Sequence, residues 1–152
     1  MYGGMTGRLL EREVFGDISV AWEGKMQYLP YQEAMHFCHN HQPENWSPTE
    51  PSPRVASDLH ALVAIGLEEI IGEFEWNELG IFSAIGTPLD VFHGVDGWFE
   101  FHGRVVTFDL TTNSQKGTYK ADVILIYEED NSDKITLKGA ERIPFLLLKS
   151  AA

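Results

Sequence analysis

The sequence predicts a mixed α/β fold of the α+β type, in which one long helix feeds a consecutive set of strands in a mixed sheet. Two observations carry this prediction. Leu59, Leu62, Val63, Leu67, Ile70, Ile71 and Phe74 recur at helical spacing, which gives a helix one apolar face. From Leu79 the period becomes that of strands, over residues 80–85, 91–101, 104–111 and 119–127, with Gly, Pro or Asn between the runs. The size agrees. A chain of 152 residues, 43% of them hydrophobic, is enough for one core, and residues 1–152 are read as a single domain.

Along the chain, residues 13–29 carry strand-like runs at 18–22 and 26–29, with Glu23-Gly24 as the turn of an N-terminal hairpin. Pro30 suits the first turn of a helix, so YQEAMHFCH is read as a short one. Residues 39–57 hold four prolines among polar residues and form an irregular connection. Ser57 is placed as the N-cap of the long helix. At about 100° per residue, Glu68 falls opposite the apolar stripe, Glu73 flanks it and Glu69 lies between. In the tail, residues 134–137 suit a strand, and Pro144 argues against one unbroken helix.

Charge narrows the function. Lys and Arg number 11 against 23 Asp and Glu, a net charge of −12. A protein that coats nucleic acid needs the opposite sign, because phosphate affinity comes largely from Lys and Arg. An enzyme acting on nucleic acid is compatible with it, since a bound divalent cation reverses the local sign at a carboxylate site. No apolar stretch approaches the roughly 20 residues that span a bilayer, and no membrane partner is expected. The N-terminus lacks the apolar run of a secretory signal. Cys38 is the one cysteine, which suits a reducing compartment, so the expected location is cytoplasmic.

The segment with chemical content runs from Gly94 to Leu125. If His102-Gly103 is a two-residue hairpin turn, both residues need positive φ, which Gly adopts freely and His tolerates better than most. Phe101 then pairs with Arg104, Phe99 with Val106 and Asp96 with Asp109. Val95, Phe99, Phe101, Val106, Phe108 and Leu110 share the apolar face, and the two aspartates lie side by side on the other. Like charges directly opposite destabilise a sheet, with Cβ atoms only about 5 Å apart. Either a cation between the carboxylates or a proton on one of them, or a lysine partner such as Lys116 or Lys120, relieves the conflict. Mg²⁺ is the natural cation, a hard ion that takes carboxylate oxygens at about 2.1 Å and keeps several waters.

A helix with a flanking Glu, then a strand carrying Asp, then a tight hairpin into a strand with a second acid resembles the PD-(D/E)XK phosphodiesterase superfamily. Val95-Asp96 stands where that motif has Pro-Asp, and Asp109-Leu110-Thr111 where it has (D/E)-x-Lys. The resemblance covers about residues 57–127. It implies a restriction-endonuclease-like core, here carrying an N-terminal hairpin-and-helix extension, and a divalent-metal-dependent nuclease with nucleic acid as substrate. By that likeness Asp96, Asp109 and the Leu110 carbonyl are metal ligands for Mg²⁺ or Mn²⁺, with Glu69 or Glu73 assisting from the helix. Thr111 departs from the pattern at the lysine position, and Lys116 or Lys120 would supply the ammonium instead. Residues 96–122 carry a net charge of −1 against −7 for residues 44–78, so a phosphate approaches the hairpin side more easily.

The competing class is a non-enzymatic acidic module that binds a protein partner or a second copy of itself. A cluster of His36, Cys38, His39 and His41 has zinc-ligand chemistry, but no second Cys/His pair follows at finger-like spacing. It is read as a helix end whose histidines favour the negative C-terminus.

Overall fold

His102 and Gly103 take φ of 50° and 81°, as a two-residue hairpin turn with both central residues at positive φ requires. The pairing that follows runs Phe101 opposite Arg104, Phe99 opposite Val106 and Gly97 opposite Phe108, the register expected from the sequence.

The computed structural model describes residues 5–16, 26–113, 120–128 and 135–149. Helices α1 (Gly7–Phe15), α2 (Tyr31–His39) and α3 (Arg54–Ile71) precede strand β1 (Leu79–Ser83). Then come α4 (Pro88–His93), β2 (Gly97–Phe101), β3 (Arg104–Thr111), β4 (Val123–Glu128), β5 (Thr136–Lys138) and α5 (Ile143–Leu148). The strands form one mixed sheet in sequence order. β1, β2 and β3 are antiparallel, β4 runs parallel to β3, and β5 returns antiparallel to β4.

Several elements differ from the sequence reading. Residues 91–93 belong to α4 rather than to a strand: Pro88 occupies its first turn and Gly94, left-handed at φ 67°, stops it. The long helix starts at Arg54 with Pro53 before it, and Ser57 lies inside its first turn. Residues 26–29 form no strand, while 18–22 and Glu23-Gly24 lie outside the described residues. Ahead of this stretch stands α1, its N-cap Thr6 hydroxyl accepting from the Leu9 N–H at 3.2 Å.

The sheet is covered on both faces. One face packs Phe99, Phe101, Val106 and Phe108 against Leu10 and Val14 of α1, Val63 and Leu67 of α3 and Ile143 of α5. The other packs Phe82 and Trp98 against Ala34 and Cys38 of α2 and Leu89 of α4. Val95 joins this second cluster, not the face of Phe99 as expected, because the backbone alternation breaks at Asp96, whose N–H turns to Phe108 O and whose carbonyl turns to the Ala84 N–H.

β1 is an edge strand, and the proline-rich segment seals it. The Ile81 N–H donates to Pro48 O at 2.9 Å, and the Ile81 carbonyl accepts from Trp46 Nε1 at 2.9 Å. Gln42 takes the Ser83 N–H on Oε1 and donates Nε2 to the Ser83 carbonyl. His60 Nε2 donates to Leu79 O at 2.7 Å. An edge satisfied this way offers little to another chain's strand.

Candidate functional site: the Asp96–Asp109 carboxyl pair

Gly94 releases the chain from α4, and two residues later the Asp96 N–H donates to Phe108 O at 2.9 Å. The ladder itself ends at Gly97 opposite Phe108, so this bond slips by one residue, as at a β-bulge. The Asp96 carbonyl takes the Ala84 N–H of the chain after β1 at 2.8 Å. Asp96 thus meets Asp109 through its side chain and not as a regular ladder partner. Asp109 follows Thr107 along β3 by the two-residue period, on the face opposite Phe108 and Leu110. Both aspartates are buried, at 4% and 7% exposure. Asp96 Oδ2 accepts from the Leu110 N–H at 2.7 Å. Since the N–H and C=O of one strand residue point the same way, the Leu110 carbonyl also faces the Asp96 side.

Burial holds the Asp96 carboxyl well above the usual carboxylate range; a hydrogen bond with Asp109 raises it further, and the charge of Asp90 adds to the effect. The Leu110 N–H acts against them by favouring the ionised form. Two carboxyls that hydrogen-bond to each other need a proton between them. The arrangement can therefore hold one proton, or exchange it for a cation. Asp90, in α4, was not singled out from the sequence because it falls in the gap between the runs 80–85 and 91–101; its Oδ2 accepts from the Gly86 N–H at 2.9 Å.

The other expected residues are placed as follows. Lys120 is exposed, and its stem runs beside Gly94, where an added Cβ would lie 3.9 Å from Lys120 Cβ and Cδ. That brings its stem alongside the residue two before Asp96. Lys116 lies outside the described residues. Glu69 and Glu73 are exposed, and neither joins the pair: among the described residues no three His, Cys, Asp or Glu side chains come together to hold a metal. The reason is the side of the sheet. α3 packs on the Phe99–Phe108 face, Glu69 lines a cleft against α5, and Glu73 follows the Gly72 that ends α3.

Thr111 uses its hydroxyl to accept from the Asn113 N–H at 3.0 Å. Asp122 is engaged too, its Oδ2 accepting from the N–H and hydroxyl of Thr107 at 3.0 and 3.1 Å. Trp98 is buried and stacked on Phe82 with ring centroids 5.0 Å apart, so it covers the sheet. The histidine cluster is dispersed. Cys38 donates its thiol to Ser83 O, and burial pushes that thiol up to about 12. His41 Nδ1 donates to Phe37 O at 2.7 Å, and His39 sits 3.7 Å from Glu100.

Compared with known proteins, the chain matches no family model, no curated protein and no solved structure. No helix among the described residues is long and apolar enough to cross a membrane.

Proposed function

We propose that the Asp96–Asp109 pair is the cation-holding centre of a divalent-metal-dependent nuclease-like protein, on a restriction-endonuclease-like arrangement of helix and hairpin. The observation that carries the reading is the contact between two buried carboxyls, one just before β2 and one in β3, the first held on a backbone N–H. Mg²⁺ is commonly bound by one or two carboxylates, with waters and substrate oxygens completing its shell. Two aspartates and the Leu110 carbonyl fit that demand, and no helix carboxylate is required. Bound there, Mg²⁺ or Mn²⁺ would orient a water for attack on a phosphodiester and stabilise the leaving oxygen. The protein's own part is to fix the two carboxyls through Leu110 and to bring Lys120 beside Gly94, where its ammonium can reach a substrate phosphate.

The second reading, an acidic module without chemistry, is favoured by Thr111, whose hydroxyl is occupied and whose side chain carries no charge. One experiment separates the two. Mg²⁺ and Mn²⁺ are titrated by calorimetry into the wild type and into Asp96→Asn/Asp109→Asn, followed by a nicking assay on plasmid and single-stranded DNA. Millimolar or tighter binding that the double variant loses, with nicking, is the expected result. Binding without nicking fits a diverged centre, and no binding at 10 mM metal would leave the acidic module as the better account.

A further inference from the structure

α3 is apolar on two sides. Ala56, Val63, Ala64 and Leu67 face the core. Leu62, Ile65 and Ile70 turn away from it and remain 47%, 48% and 46% exposed. Opposite them stands Phe145 of α5, exposed at 67%. Between α3, β5 and α5 lies a cleft of about 720 Å³. At its floor α3 and α5 approach closely: an added Cβ on Gly66 would meet Pro144 Cγ at 2.6 Å, so the approach requires glycine.

Shape and charge together select the occupant. The α3 lining extends from Val55 to Ile70, about 22 Å at 1.5 Å per residue, or some four helical turns. That is the length of a helix laid alongside rather than of a compact ligand. The charged residues that line the cleft, Asp58, Glu69 and Glu141, are all acidic. Asp58 has Arg54 at 4.0 Å, an exposed i,i+4 pair that contributes little and exchanges easily. A second copy of this chain is a poorer match. A two-fold interface would bring the same three carboxylates in from both sides, between molecules of net charge −12 that repel one another.

We propose that this cleft docks a basic amphipathic helix of a partner protein. Its apolar stripe would pack on Leu62, Ile65, Ile70 and Phe145, the mode in which an amphipathic helix fills a hydrophobic groove. Its flanking Lys or Arg residues would meet Asp58, Glu69 and Glu141. The proposal is independent of the carboxyl pair, which lies on the opposite face of the sheet.

The test uses the full chain and a labelled 18-residue Leu/Lys peptide of helical apolar period, followed by fluorescence anisotropy. Controls are a peptide of the same composition with the stripe shuffled and a Leu/Glu twin. Because Ile65 and Phe145 are exposed, Ile65→Ser/Phe145→Ser leaves the fold intact, which circular dichroism checks. The expected result is at least tenfold weaker binding for the shuffled peptide and for this variant. Glu69→Lys/Glu141→Lys is expected to reverse the preference toward the Leu/Glu twin. Equal affinity for patterned and shuffled peptides, or affinity untouched by Ile65→Ser/Phe145→Ser, would overturn the proposal. So would a concentration-dependent dimer that the same variant dissociates, since the cleft would then belong to a second copy.

Discussion

Asp96 shows how one side chain links the fold to pH. Its carboxyl is buried, hydrogen-bonded to Asp109 and held well above the usual range, whereas in the unfolded chain it titrates near 3.9. The native state therefore keeps a proton that unfolding releases. Stability from this group is full below about pH 4 and falls as pH rises toward the folded-state value, by up to about 1.4 kcal/mol per pH unit. Asp96→Asn replaces the protonated carboxyl with a neutral amide that still accepts from the Leu110 N–H and donates to Asp109. Urea unfolding at pH 5, 7 and 9 is expected to show a shallower decline in the variant, which becomes the more stable protein at pH 9. Equal declines would mean that Asp96 carries no proton in the native state. The closeness of the pair was legible in the sequence, because a two-residue turn at His102-Gly103 fixes the partners from Phe101–Arg104 to Gly97–Phe108 and so brings Asp96 next to the strand that carries Asp109. The one-residue slip at Asp96 was not. Nor was the pair's electrostatic setting, since Asp90 arrives from a six-residue helix too short for its period to show.

Among the elements, β1 depends most on residues far away in sequence. Gln42 imitates one more strand residue, presenting an acceptor to the Ser83 N–H at 2.9 Å and a donor to the Ser83 carbonyl at 2.8 Å. Gln42→Ala removes both contacts and leaves the Ser83 N–H without its acceptor. A loss of about 1–3 kcal/mol is expected by thermal or urea unfolding. Gln42→Glu makes the sharper comparison, because it restores the acceptor but sets a carboxylate oxygen against the Ser83 carbonyl. It is expected to recover none of the loss at pH 7. None of this edge sealing could be read from periodicity, since the partners stand 41 residues apart. The same limit explains α3. Its apolar positions were read as one stripe, whereas the structure divides them between the core and the cleft, and only the position of α5 reveals the second side.

At the scale of the whole molecule, a net charge of −12 means that any cation stabilises the compact state by screening self-repulsion. A rise in melting temperature with added magnesium therefore proves nothing alone. The discriminating comparison is MgCl₂ against NaCl at matched ionic strength, in the wild type and in Asp109→Asn. Screening acts on both proteins alike, while a site adds RT ln(1 + [L]/Kd) to the wild type only. With a Kd near 1 mM, 10 mM Mg²⁺ contributes about 1.4 kcal/mol, or roughly 3–6 °C for a chain of this size. The expected outcome is that excess in the wild type and its absence in Asp109→Asn, over a shared upward slope with NaCl. The pH dependence supplies a second signature, because metal must displace the proton that Asp96 and Asp109 share. The excess should grow from pH 6 to pH 9, as the proton's hold weakens, whereas screening alone changes little over that range. An excess present in both proteins would assign the magnesium effect to the acidic surface and withdraw the carboxyl pair from the chemistry.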